Sequence, residues 1–233
     1  MSLLSRNGWF DRTYLVNLTT AKRYHTFKAA LTLMQARKPA GASIVETGCQ
    51  REVDDWGAGS STTVLGSYCK LTGGHLDSID NDRIHLERCE RIVIAAGLDK
   101  HVTLHHTDSV GWLLQRPADY EIDLLYLDSF DYPYGKILEE YGGKTDIDTA
   151  RKVVEAMSDA EIVEKHGSII AESQEHCLAE IRAAEHLLMR GAVVLIDDVL
   201  PGGGKPRLAS EWLRADPRWL PVLEDYQTLW VRL

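Results

Sequence analysis

Short apolar runs alternate with longer segments of helical periodicity over most of the chain. Five of the runs are rich in β-branched residues and are bounded by turn-forming residues, as expected of buried strands. The predicted strands are Ser43–Val45, Gly74–Ile79, Val102–His105, Leu124–Leu127 and Ala192–Ile196. Because strands that alternate with helices form right-handed βαβ units, the pattern predicts an α/β fold with a mainly parallel sheet.

Two of the intervening helices have clear ends. The predicted helix Ile84–Ala96 stops at Gly97, a residue that readily forms a left-handed C-cap. A second helix is predicted over Cys177–Met189 and ends in the same way at Arg190 and Gly191. At the C-terminus, Trp219–Glu224 and Thr228–Val231 flank a turn and predict a β-hairpin.

Two segments lie outside this regular alternation. Residues 1–40 have apolar positions at helical spacing and predict an N-terminal helical cap on the sheet. Residues 130–176 are too long for an ordinary strand-to-helix connection and predict an insertion near the substrate pocket, with its own helix at Thr149–Lys165. The length of 233 residues fits a single domain over 1–233.

Composition narrows the possible partners. The chain is 44% hydrophobic, and none of its apolar runs approaches the roughly 20 residues that cross a bilayer, so no membrane contact and a cytoplasmic location are expected. The net charge is −9 and no block of Lys or Arg is present, which argues against nucleic acid and favours a small-molecule acceptor. A homodimer through the N-terminal helices is left open.

A glycine-rich string follows the first predicted strand. Ile44–Gly48 leads through a polar loop to Gly59, Ser60 and Ser61, which open the next helix. Glycine allows a ligand to approach the backbone closely, and the free N–H groups of a helix N-terminus favour an anionic or polar ligand. The alternative is a tight turn without a ligand.

Acidic residues follow the second and third predicted strands. Asp80 lies where the carboxylate of a nucleotide-binding sheet accepts ribose hydroxyl groups. Asp108, next to Ser109, lies where such folds contact adenine. Either aspartate could instead be a helix N-cap.

These strings together resemble the successive motifs of class I S-adenosylmethionine (SAM)-dependent methyltransferases. The resemblance implies a Rossmann-like, doubly wound, seven-stranded sheet, mostly parallel with an antiparallel last strand, and SAM as the cofactor. The implied cofactor-binding residues are Glu46, Thr47, Gly48, Gly59, Ser60, Ser61, Asp80, Asp108, Ser109 and Asp128. The loop Cys49–Trp56 is longer than the usual glycine loop.

Three further carboxylates should meet at one edge of the sheet. Asp128 ends the fourth predicted strand, and Asp197 and Asp198 end the fifth. Three converging acids repel one another unless a cation intervenes, and oxygen ligands suit Mg²⁺, Ca²⁺ or Mn²⁺. The alternative is that these residues cap turns or face solvent.

The segments around these aspartates are similar to those of metal-dependent O-methyltransferases, the group of catechol O-methyltransferase and of bacterial sugar and antibiotic O-methyltransferases. The similarity covers Leu124–Asp128 and Gly191–Val199. It implies that Asp128, Asp197 and Asp198 bind Mg²⁺ or another divalent cation. It also implies methyl transfer to a hydroxyl group, a reaction of the EC 2.1.1 class.

The catalytic base has two candidates. Asp131 stands where related enzymes often carry Lys or His, three positions after the first metal-binding aspartate. His176 precedes the helix at Cys177, and a neutral imidazole is a competent base near neutral pH. Lys205 follows a run of glycines and is expected to face solvent, and the alternative is that it approaches the site from a flexible lid.

The sequence leaves two other functions open. A nicotinamide-dependent oxidoreductase would favour a third glycine near Thr62, and it gives no reason for Asp197 and Asp198. A non-catalytic nucleotide-binding subunit is the second alternative.

Overall fold

The computed structural model describes residues 3–54, 56, 60–130, 152–153, 156–200 and 204–233. The described part contains a seven-stranded sheet with helices on both faces. The strands are β1 Ser43–Thr47, β2 His75–Asp80, β3 Val102–His106, β4 Ile122–Leu127, β5 Leu188–Ile196, β6 Trp219–Glu224 and β7 Thr228–Arg232. The helices are α1 Trp9–Thr20, α2 Tyr24–Arg37, α3 Ser61–Thr72, α4 Arg83–Ala95, α5 Ser109–Leu114, α6 Asp159–Ala184 and α7 Arg207–Ala215.

The sheet has the strand order β3-β2-β1-β4-β5-β7-β6. Strands β1 to β5 are parallel, whereas β7 is antiparallel to both β5 and β6. This confirms the predicted fold class, including the terminal hairpin. The strand order reverses between β1 and β4, and ligands of open α/β sheets bind at such a switch point, beyond the carboxyl ends of the strands.

Two apolar layers cover the sheet, as expected for parallel strands that are buried on both faces. One layer joins the sheet to α1, α2, α3 and α4, and includes Phe10, Phe27, Leu65 and Val93. The other joins it to α5, α6 and α7, and includes Leu113, Ile181 and Leu213. Helix α2 packs on β5 and α1 packs on α2, so the N-terminal helices cover one face of the sheet. Among the described helices, none has the length and apolar composition needed to span a bilayer.

The predicted helix Cys177–Met189 is wrong at both ends. Helix α6 begins at Asp159 and ends at Ala184, so it contains the end of the expected inserted helix, Thr149–Lys165, together with the first part of the expected following helix. Residues 149–151 and 154–155 lie outside the described residues. Its start has a sequence signal, because Ser158 and Glu161 form a capping box. Gly191 lies within β5, with a φ of 83°, and is not a helix cap.

Candidate cofactor cleft and acidic cluster

Gly48 directly follows β1 and lies between the ends of the two neighbouring strands. Its N–H donates to the Ile79 carbonyl oxygen at 2.7 Å, and Asp128 N donates to the Thr47 carbonyl oxygen at 2.9 Å. The φ of Gly48 is 82°, and a Cβ atom there would overlap the carbonyl oxygen of Asp128. Glycine is therefore required by both conformation and space.

The loop after Gly48 is tied to the start of α3 by Gln50, which sequence reasoning missed. Gln50 N donates to Thr62 Oγ1 at 2.9 Å, and Gln50 Oε1 accepts from Thr63 N at 3.2 Å. Ser60 has a left-handed conformation with a φ of 37°, and Ser61 lines the cleft beside it. Gly59 lies outside the described residues.

Glu46 is fully buried behind this loop. Its Oε2 atom accepts hydrogen bonds from Thr62 Oγ1 at 2.6 Å and from Ser78 Oγ at 2.7 Å. Burial raises the pKa of Glu46 to about 7, although the hydroxyl donors oppose the shift. Glu46 therefore links β1 to α3 and to β2, beneath the positions where the resemblance places the cofactor.

Asp80 lies at the end of β2 and faces the cleft. Its Oδ2 accepts from Cys49 N at 3.2 Å, and its Oδ1 accepts from Asp82 N at 2.8 Å. Each carboxylate oxygen has lone pairs for a second donor. Asp80 can therefore hold the loop and still accept ribose hydroxyl groups.

Asp108 and Ser109 lie at the end of β3. Asp108 caps α5, since its Oδ2 accepts from Gly111 N at 2.6 Å, and it also lines the cleft. Ser109 Oγ donates to Glu180 Oε1 at 2.6 Å. His176 Nε2 lies 3.3 Å from the same Glu180 oxygen, and hydrogen bonding to Glu180 raises the pKa of His176.

Two adjoining clefts open along this edge of the sheet, with volumes of about 300 and 240 Å³. Both are lined by Gly48, Asp80, Asn81, Ser129 and Phe130. One continues to Arg51 and Asp128, and the other continues to Asp108 and His176. The structure therefore places the cofactor candidates Asp80 and Asp108 along one continuous surface, with His176 at the Asp108 end.

Asp128, Asp197 and Asp198 form a cluster, which we call the acidic cluster. Tyr126, a residue that sequence reasoning missed, joins two of its members. Tyr126 Oη donates to Asp197 Oδ2 at 2.8 Å and lies 3.4 Å from Asp128 Oδ2. Tyr226 Oη donates to Asp198 Oδ1 at 2.9 Å.

Two buried cationic side chains neutralise the acidic cluster. Arg23 Nη2 lies 2.9 Å from Asp197 Oδ2, and Lys205 Nζ lies 2.5 Å from Asp128 Oδ1. Burial alone would raise the pKa of Asp197, but neighbouring groups, chiefly Arg23, outweigh burial and lower that pKa. Burial raises the pKa of Asp128 well above its usual range despite the opposing charge of Lys205. The expectation that Lys205 faces solvent is wrong, because its side chain is 1% exposed.

These residues, as arranged, do not fit a divalent metal ion. The oxygens of the cluster that would bind the ion are engaged by Arg23, Lys205 and the two tyrosine hydroxyl groups. Among the residues that the structure describes, no group of three or more His, Cys, Asp or Glu is placed to hold a metal ion. The predicted base Asp131 lies outside the described residues.

No protein-family model and no curated protein matches the amino-acid sequence. Solved structures do match over nearly the whole chain. Cofactor-bound Rv0187 from MTB is 16% identical with a TM-score of 0.57, covering 96% of this chain and 94% of that one. The O-methyltransferase TomG from Streptomyces achromogenes, solved with SAM, is 18% identical with a TM-score of 0.50 and the same coverage.

A third match is the O-methyltransferase from Bacillus cereus in complex with SAH. It is 15% identical with a TM-score of 0.52, covering 99% of this chain and 93% of that one. A structure described as a putative rRNA-methylase from Clostridium thermocellum also matches, at 13% identity with a TM-score of 0.51, covering 83% of this chain and 90% of that one. The chain therefore has the class I methyltransferase fold that the sequence motifs resemble.

Proposed function

We propose that this protein transfers the methyl group of SAM to a hydroxyl group of a small molecule. The observation that carries the proposal is that Asp128 belongs both to the cleft wall and to the acidic cluster. A donor that extends along the cleft from Asp108 and Asp80 would bring its sulfonium methyl group beside this cluster. Groups fixed there can orient an acceptor oxygen in line with the methyl carbon.

The reaction needs few groups. The acceptor oxygen bonds to the methyl carbon while the carbon–sulfur bond breaks, so that SAM becomes S-adenosylhomocysteine (SAH) and the hydroxyl proton leaves. Asp128 is the clustered carboxylate that lines the cleft, so it is the group placed to accept the hydroxyl proton. We assign His176 to the cofactor end of the cleft because it neighbours Ser109 and Asp108.

Charge supports a small acceptor over RNA. The chain has a net charge of −9 and no basic block, whereas RNA binding requires neutralisation of many phosphates. The O-methyltransferase matches agree with a hydroxyl acceptor. Methyl transfer to RNA, measured with labelled SAM and total RNA, would contradict this part of the proposal.

Calorimetric titration with SAH and with NAD⁺ tests the cofactor. We expect SAH to bind and NAD⁺ not to bind. Asp80→Ala should weaken SAH binding about tenfold or more, because it removes charge-assisted hydrogen bonds. Asp99→Ala, at an exposed aspartate, is the matched control and should leave the affinity unchanged. Binding of NAD⁺ in place of SAH would overturn the proposal.

A further inference from the structure

Lys205 lies where the sequence predicts a divalent cation. Its Nζ atom is 2.5 Å from Asp128 Oδ1 and 3.4 Å from Asp198 Oδ2, so it bridges the carboxylates that follow β4 and β5. The side chain is 1% exposed. Burial of an ammonium group costs several kcal/mol unless carboxylates compensate it. The position of Lys205 is therefore specified by the acidic cluster.

Arg23 covers the third carboxylate. Its Nε atom donates to Asp197 Oδ1 and Oδ2 at 3.1 and 2.9 Å, and its Nη2 atom lies 3.7 Å from Asp198 Oδ1. Three carboxylates thus face two permanent positive charges. A divalent ion would have to displace Lys205 to reach both Asp128 and Asp198.

The backbone fixes the approach of Lys205. The preceding residue, Gly204, has a φ of 54°, and a Cβ atom there would overlap the carbonyl oxygen of Asp198. Gln174 Nε2 donates to the Gly204 carbonyl oxygen at 2.8 Å. The chain therefore returns directly against the end of β5, which directs the lysine side chain into the cluster.

We propose that Lys205 is the resident cation of the acidic cluster, and that it takes the place of a divalent ion and holds Asp128 in position at the cleft. The active site then operates without a divalent ion. Only this last consequence rests on the proposed methyl transfer. The contacts of Lys205 are sufficient to place it at the cation position. Lys205 is a positioning residue that acts through Asp128.

Titration with Mn²⁺, followed by electron paramagnetic resonance, tests this directly, with and without SAH. The wild-type protein should bind no stoichiometric Mn²⁺ at millimolar concentration. Lys205→Met removes the charge at similar length and should gain one bound Mn²⁺ per chain, which Mg²⁺ displaces. Lys205→Arg keeps the charge and should not gain the ion. Lys28→Met is the matched control, because Lys28 also pairs with an aspartate, Asp11, but lies outside the cluster.

Circular dichroism and urea denaturation check that each variant is folded, and Lys205→Gln replaces Lys205→Met if the latter does not fold. One tightly bound Mn²⁺ per wild-type chain would overturn the proposal. Failure of both neutral variants, K205M and K205Q, to bind Mn²⁺ would also contradict it, because Lys205 would then not be what fills a cation site. If the wild-type protein does not bind SAH, the proposed function is overturned. The Mn²⁺ titration would still decide the role of Lys205.

Discussion

Arg23 and Asp197 form a buried ion pair across 174 positions of sequence, with Arg23 Nη2 2.9 Å from Asp197 Oδ2. The exposed fractions of the two side chains are 3% and 0%. Arg23 lies between α1 and α2, and Asp197 follows β5. The pair therefore attaches the N-terminal helices to the carboxyl edge of the sheet.

Replacement of Arg23 should be strongly destabilising. Arg23→Met leaves the Asp197 carboxylate buried without its cation, which should lower the free energy of unfolding by about 3–5 kcal/mol. Urea denaturation measures the loss. Arg83→Met is the control, because the Arg83–Glu87 pair is exposed and should contribute no more than about 0.5 kcal/mol. Similar losses in the two variants would show that the buried pair has no special role.

Gly48→Ala should damage both the fold and cofactor binding. The new Cβ atom would overlap the Asp128 carbonyl oxygen in a backbone conformation with positive φ, so we expect a loss of about 2–3 kcal/mol and weaker SAH binding. Gly73→Ala has a similar φ of 72° but no atom within 4 Å of the new Cβ. That control should cost about 1 kcal/mol and leave SAH affinity unchanged. Unchanged SAH affinity in Gly48→Ala would argue against a cofactor beside Gly48.

The strands β1 to β4 were predictable from sequence, because neighbouring residues alone set their pattern. The strands β1 to β4 are short apolar runs next to turn residues, and the structure places them within a few residues of their predicted bounds. The start of β5 was not predictable, because Leu188 and Met189 continue the apolar spacing of α6 and Arg190–Gly191 is typical of a helix end. Tertiary pairing of Leu188 with Ile122 overrides that local pattern.

The site was predictable where a residue's position follows from the sheet alone. Asp80 ends β2, and Asp128 and Asp197 directly follow β4 and β5, so parallel topology brings the three residues to one edge. The cations that neutralise the cluster come from elsewhere: Arg23 from a break between helices and Lys205 from a glycine-rich turn. No periodicity marks either residue, because their positions depend on long-range packing. The sequence predicted that the acidic cluster needs a cation. It did not show that side chains of the same chain, Arg23 and Lys205, provide the positive charge.

The stability of the protein should depend on the ionisation of Glu46. Because its pKa is raised from 4.5 to about 7, the folded state holds a proton that the unfolded state releases across that interval. The free energy of unfolding should therefore fall by up to about 3 kcal/mol as pH rises from about 4.5 to about 7, through this group alone.

Glu46→Gln isolates that contribution. The amide can still accept from Thr62 and Ser78 but does not ionise, so the variant should lack this part of the pH dependence. Urea denaturation at several pH values, compared with the wild type, measures the difference. Identical pH profiles for the two proteins would show that Glu46 does not titrate in this range.

His176 should report on its contact with Glu180. The hydrogen bond to Glu180 raises the pKa of His176, and burial opposes it, so Glu180→Gln should lower that pKa. An NMR titration of the imidazole resonances measures the shift. Glu175→Gln removes a neighbouring but exposed carboxylate and should change the pKa of His176 much less. Equal shifts in the two variants would exclude a specific Glu180 contact.

Gly204→Ala should displace Lys205 without changing the lysine itself. Its Cβ atom would overlap the Asp198 carbonyl oxygen, so the turn that directs Lys205 into the acidic cluster has to move. We expect a loss of about 2–3 kcal/mol and a gain of Mn²⁺ binding like that of Lys205→Met. Gly41→Ala also has a positive φ, 68°, but meets no atom within 4 Å, and should cost about 1 kcal/mol without any gain of Mn²⁺. If Gly204→Ala binds no Mn²⁺ while Lys205→Met does, the turn at Gly204 is not what holds the lysine in place.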